Sequence, residues 1–206
     1  MWALGLLICG GCGFVFLRVG ASWQRHARRR MLAEVDGTLS MFATAMRGQF
    51  QPGRVKIADH PMLGEIRDYG TAEIEVRGLR AVVGVEFPSG DSTDDQTRIR
   101  VLRPPGRSWR VQALELRARP ARGADPDSAA AFARSFEVTP PASVPDPARA
   151  ALMRLAVGAT EIEIENDALS FLAVSEDRTV YVADQEQLRA LVDQVTNAAT
   201  LLLAPS

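Results

Sequence analysis

The sequence predicts an α+β protein: an N-terminal transmembrane helix running into an amphipathic helix, then antiparallel β meanders with helices packed on one side. Three observations carry this. An uncharged apolar run, Met1 to Leu17, is followed by a cluster of arginines. Apolar residues then recur at three- and four-residue steps from Met31, the period of a helix with one buried face. Further on, TAEIEVR, TRIRVLR and TEIEIE alternate apolar and charged residues, the period of a strand with one wet face.

At about 1.5 Å per residue, Met1 to Leu17 covers roughly 25 Å of a hydrocarbon core about 30 Å thick. Trp2 and Trp23 bracket the run, about 31 Å apart along a helix. Trp favours both water interfaces, so the pair marks the edges of one span, residues 1–23. Arg18 then lies near the end of the span, its stem snorkelling outward. No Lys or Arg precedes the run, whereas Arg18, Arg25, Arg28, Arg29 and Arg30 follow with no acid before Glu34. That asymmetry predicts a single-pass protein of the bacterial inner (plasma) membrane with its soluble domain in the cytoplasm. A cleaved signal peptide needs the basic residues in front, the reverse of this order. Acylation at Cys12 fits Gly11 before it but not Cys9 at the usual leucine position. Gly5, Cys9 and Gly13 recur every four residues. Small residues so spaced can let two backbones approach in lipid, which makes this a candidate association face for homo-oligomers or a partner span, although glycine is also simply common in such helices.

Residues 24–50 read as a juxtamembrane amphipathic helix, with Met31, Leu32, Val35, Leu39, Phe42 and Met46 on one stripe, ended by Gly48, Pro52 and Gly53. A β-rich subdomain follows over 51–120, with strands at 55–58, 71–77, 80–87, 97–103 and 109–117, the last with a bulge near Ala113 where the alternation changes phase. Glu73 and Glu75 are expected to face Arg98 and Arg100 across strands. Residues 121–134 are rich in Pro, Gly, Ala and charge and read as a linker with a short helix start at Asp127. Residues 135–206 form an α+β subdomain: a brief strand at 135–139, a helix capped by Asp146 with Pro147 at its first position, and a meander of 160–165, 168–174 and 179–183. Asp184 caps a closing helix whose apolar face holds Leu188, Leu191, Val192, Val195, Ala199 and Leu202.

Net charge is −1, yet residues 31–206 hold 19 basic and 25 acidic side chains. The arginine block is thus the one strongly basic patch, suited to anionic lipid. Nucleic-acid binding needs a basic face on the domain itself, which this balance does not supply. Both cysteines, Cys9 and Cys12, fall in the anchor, so the domain has no disulfide framework and no thiol nucleophile. His26 sits among arginines and His60 before Pro61, without partners at ligand spacing. Asp91, Asp94 and Asp95 resemble a cation loop, but Leu102 stands where a calcium loop needs Glu. Glu161, Glu163 and Glu165 share one strand face, ordinarily the wet one. No nucleophile elbow, zinc-helix motif or phosphate-binding loop occurs. The sequence assigns no catalytic residue, no cofactor and no metal.

Thr97-Arg98-Ile99-Arg100-Val101, Phe136-Glu137-Val138 and the final strand–helix unit give residues 38–203 a pattern. It is similar to uncharacterised bacterial membrane-associated proteins of a domain family of unknown function. The resemblance implies a fold and no activity. The leading expectation is a membrane-anchored cytoplasmic domain working through protein–protein contacts, with the lipid bilayer and an unknown protein as partners. The alternatives are an enzyme with a site in the cleft between the two β-rich halves, or a membrane-surface lipid-sensing module.

Overall fold

A computed structural model describes residues 30–57, 65–86, 96–121, 123–165, 167–173 and 184–204. In chain order it contains α1 (30–45), β1 (Gln49–Gln51), β2 (Val55–Ile57), β3 (Glu65–Arg67), β4 (Thr71–Val76), β5 (Leu79–Glu86), β6 (Gln96–Leu102) and β7 (Ala113–Leu116). Then come α2 (Ala129–Ser135), β8 (Phe136–Thr139), a 3-10 turn (Pro141–Ser143), α3 (Asp146–Ala156), β9 (Ala159–Glu165), β10 (Ala168–Ala173) and α4 (Gln185–Leu202).

Eight strands form one antiparallel sheet in the order β1-β4-β5-β6-β10-β9-β7-β8, and β2 and β3 pair separately. The two β-rich segments of the sequence therefore share a sheet, joined where β6 pairs with β10 and where β7 pairs with β9 and β8. Period-two alternation decides what each face carries. Ile74, Ala81, Val101 and Leu169 fall on one register line, and Val83, Ile99, Phe171 and Ile162 on the next. All of these are buried, in one core with Val35, Leu39 and Phe42 of α1 and Leu188, Val192 and Val195 of α4. The helices thus cover a single face.

Side chains tie α1 to the rest. The Asp36 carboxylate accepts from the Gly70 amide at 2.7 Å, and the Gln185 amide donates to the Thr38 carbonyl at 3.1 Å. The helix closes with Gly48 N–H bonding the Ala43 carbonyl at 2.7 Å and Arg47 N–H bonding Thr44 at 3.1 Å, a Schellman ending. Its left-handed position belongs to Arg47 (φ 56) and not to glycine. The glycine is needed one residue later, because a Cβ on Gly48 would sit 2.2 Å from the Glu73 carbonyl oxygen. Arg47→Gly should therefore relieve backbone strain and stabilise the protein by about 0.5–1 kcal/mol. A urea midpoint no higher than the parent's would show that the Arg47 side chain offsets the strain.

The β4–β5 turn has positive φ at both Arg77 and Gly78 (54 and 74), as tight two-residue hairpins require. From there Arg77 reaches α4, and its Nε and Nη2 each donate to a carboxylate oxygen of Asp193 at 2.9 Å. The Arg77 hydrogen bond holds the Asp193 carboxyl below its ordinary pKa, and the carboxylate raises that of Arg77. A depressed carboxyl stabilises the fold above its unfolded pKa of about 4 and loses that contribution as pH falls through the folded value. Parent and Asp193→Asn should thus differ in melting temperature at pH 7 and converge near pH 2. Both side chains are about half exposed, so high salt should shrink the difference too. A gap that persists at pH 2 would exclude this pair as its source.

Several expectations need correction. The transmembrane part of the fold class is one: among the described residues no helix is long and apolar enough to cross a membrane. The longest, α4, carries Glu186, Arg189 and Asp193 on its outer side, and α1 carries Arg30, Glu34 and Asp36. The expected span and its residues Trp2, Gly5, Cys9, Gly13, Arg18 and Trp23, with Arg28 and Arg29, lie outside the described residues; Arg30 is exposed at the start of α1. Leu191 is only partly buried, because the inward stripe of α4 runs through Leu188, Val192, Val195, Ala199 and Leu202. Helix α3 begins at Asp146 itself, with Pro145 before it and no side-chain cap. The expected strand 109–117 shortens to β7, whose pairing with β8 runs from Ala113 to Leu116 without a register shift; the shift lies in the β9–β10 pair, between Leu172 and Ala173. Ahead of β7, residues 107–110 bind the end of α4. Arg110 N–H donates to Leu202 (2.8 Å), Arg110 Nε to Leu203 (3.1 Å) and Arg107 Nη2 to Ala204 (2.7 Å). These arginines satisfy carbonyls that a helix C-terminus leaves open. Asp184 caps the other end of α4, accepting from Gln187 N–H at 2.8 Å.

Candidate functional site

The face of the sheet turned away from the helices is built from the residues between the core positions. One register line crosses all eight strands: Gln49, Glu73, Val82, Arg100, Ser170, Glu163, Glu115 and Glu137. The line beside it carries Gln51, Thr71, Gly84, Arg98, Leu172 and Glu161. The β1-β4 end carries glutamines, Thr71 and the single acid Glu73, arginines hold the middle, and acids the β9-β7-β8 side. These charges face outward because the alternation that buries Ile99 and Ile162 turns their neighbours to water.

Arg98 is the hub. Its Nε donates to Glu86 at 2.7 Å, and its Nη1 donates to Glu161 and to the Ser170 hydroxyl, both at 2.6 Å. The guanidinium thus lies across β10, leaving its own side chain 16 % exposed and Ser170 buried beneath it. Burial works against the Arg98 charge, but the bonds to Glu161 and Glu86 outweigh it, and the pKa is raised. Elsewhere Arg80 donates to Glu73 at 3.2 Å, and Arg117 pairs with Glu137. Glu115 stands in register between Glu163 and Glu137, like charges whose mutual repulsion costs stability.

Two concavities adjoin this framework. A cavity of about 780 Å³ at one end of the open face is lined by Arg47, Glu73, Glu75, Arg80, Arg103 and Asp167 among others. A groove of about 760 Å³ between α1 and α4 is floored by Phe42, Ala45, Met46 and Val76. Among the described residues no group of three His, Cys, Asp or Glu is placed to hold a metal. Asp91, Asp94, Asp95, His26 and His60 lie outside them. The open face can present fixed, directional charge, with Arg80 and Arg98 donating to the carboxylates of Glu73, Glu86 and Glu161.

The alternating Arg and Glu positions are visible in the sequence, but their neighbours are not. Glu73 and Glu75 were expected to meet Arg98 and Arg100, yet β5 lies between β4 and β6. Arg98 instead reaches Glu161, 63 residues away, and no local signal announces that partner.

No family model and no curated protein matches this chain. Among solved structures, the mycobacterial trehalose monomycolate transport factor A, TtfA, is similar over 84% of this chain and 98% of that one, with 13% identity and a TM-score of 0.48.

Proposed function

We propose that this chain is a non-enzymatic binding module that acts through protein–protein contacts made by the open face of its sheet. The observation that supports it is a broad sheet face left uncovered by the helices, with charges held in fixed places by the Arg98 network. A preorganised charged surface steers and orients a partner at little ordering cost. The basic side chains on the face are arginines, which interfaces favour over lysine for their planar fork.

The test is a photo-crosslinking amino acid placed at Val82, which points outward between Glu73 and Arg100, in the full chain inside cells. The same group at Val157, exposed in the turn after α3, serves as comparison. Protein adducts from Val82 and none from Val157 are expected. If Val82 yields none, the open face is not the working surface.

A further inference from the structure

We infer that the cavity at one end of the open face is a binding site for a short zwitterionic peptide of about three residues. Its carboxylate sits on Arg47 and its ammonium on Asp167. This site goes beyond the docking role of the face and stands without it. The cavity walls bring together three arginines and three acids. Arg80 and Glu73 pair at 3.2 Å, and the second Glu73 oxygen accepts from Gln51 at 3.3 Å. Arg47, Glu75 and Asp167 make no side-chain bond among the described residues. The Arg103 guanidinium donates to a neutral acceptor, the Arg107 carbonyl. Two cations and two anions thus stand around one cavity without neutralising one another.

The backbone keeps them apart. Gln49 pairs with Glu73, so Arg47 would come opposite Glu75 two residues further along. Instead β1 stops, and Arg47 turns into the left-handed region (φ 56). Glycine takes that conformation more readily, and such strain concentrates at ligand sites. At the far side Arg103 N–H donates to the Asp167 carbonyl at 2.6 Å, while the Arg103 guanidinium is turned to Arg107. Opposite charges that the scaffold holds apart suit a ligand carrying both signs.

Register sets the size of that ligand. Glu75 pairs with Arg80, Leu102 follows the partner of Ala81, and Leu102 pairs with Ala168, next to Asp167. The row therefore crosses the sheet from Arg47 beside Glu75, through Arg80 and Leu102, to Asp167, with Pro104 and Pro105 adding apolar wall. From the β1 column to β10 there are four strand spacings, about 19 Å in all at about 4.8 Å each. Side chains reaching inward from both ends leave about 10 Å, the span of three extended residues at about 3.3 Å each. Arg47 takes the carboxylate because its whole fork is free to meet it in two parallel bonds. Between the ends, Arg103 can donate to a peptide carbonyl and Glu75 can accept from a peptide N–H, which selects a peptide over a plain amino acid. The cavity volume of about 780 Å³ is that of an ordinary small-ligand site.

Trialanine is the probe, titrated calorimetrically into the full chain beside its N-acetyl and C-amide forms. Trialanine should bind saturably, in the millimolar range or tighter, and each blocked form at least tenfold more weakly. Arg47→Gly suits the local backbone and keeps the fold. It should weaken trialanine at least tenfold and abolish the effect of amidation, while acetylation still weakens binding. Asp167→Asn should do the converse, abolishing the effect of acetylation and leaving that of amidation. No saturable binding, or blocked forms that bind as well as trialanine, would overturn the site. So would blocking effects that both variants leave intact, the mark of adventitious binding elsewhere. Inorganic phosphate binding as tightly as trialanine would show a plain anion site and overturn the zwitterion. The Val82 crosslink involves no peptide, so its result leaves this one unaffected.

Discussion

Phe171→Ala is expected to destabilise the protein by about 3–5 kcal/mol, the usual cost of emptying a buried aromatic site. Phe171 is 1 % exposed and lies in register between Ile99 of β6 and Ile162 of β9, both fully buried. β10 joins the two β-rich segments, so the cavity would open at the centre of the sheet, where paired neighbours on both sides limit collapse. The loss should appear in the urea midpoint, with little change in slope. Leu191→Ala, on the flank of α4, should cost well under half as much because Leu191 is only partly buried. Equal losses at the two sites would mean that α4 is rotated relative to the sheet.

Arg98→Met is expected to cost about 1–3 kcal/mol, chiefly through what it leaves behind. The Ser170 hydroxyl, fully buried, would lose the donor 2.6 Å away, and Glu161 and Glu86 would lose theirs. The two carboxylates remain partly exposed, so water recovers some of the loss and the cost stays below that of a buried pair. Arg98→Lys should retain only part of the stability, because one ammonium cannot reproduce a fork that serves Glu86 of β5, Glu161 of β9 and Ser170 of β10. The hydroxyl's share is measured by a cycle: Ser170→Ala should cost less in the Arg98→Met background than in the parent. Strictly additive losses would show that Arg98 and Ser170 do not act together.

How much of this was legible in the sequence follows from the range of the signals. Strands β4, β5, β6, β9 and β10 were readable because alternation is local and each presents one apolar face. β1 and β3 are three residues long, too short for a period to show. The α4 stripe was readable, but Leu191 and Val192 are adjacent apolar residues, and only docking decides which turns inward. Strand order is non-local. Nothing in TRIRVLR says that its second neighbour is ALSFLA, so the Arg98–Ser170–Glu161 hub could not be assembled from spacing. The expected anchor is a different matter: hydropathy locates an apolar stretch, while the described helices owe their apolar faces to this core.

The placement of β10 also governs how the chain emerges during synthesis. β4, β5 and β6 are consecutive and can pair at once, but β6 waits for β10, about 65 residues later in the chain. At roughly 5–20 residues per second that interval is about 3–13 s. Throughout it, β6 is a bare edge with Ile99 and Val101 on one side, the kind of strand that recruits a wrong neighbour. Arg98 and Arg100 alternate with those residues and keep the apolar run from becoming continuous, acting as gatekeepers for the nascent chain. Arginines that fix charge on the finished sheet thus first protect it from premature β-pairing on the ribosome, and replacing both with threonine should show itself in aggregation during expression before it shows in the folded state.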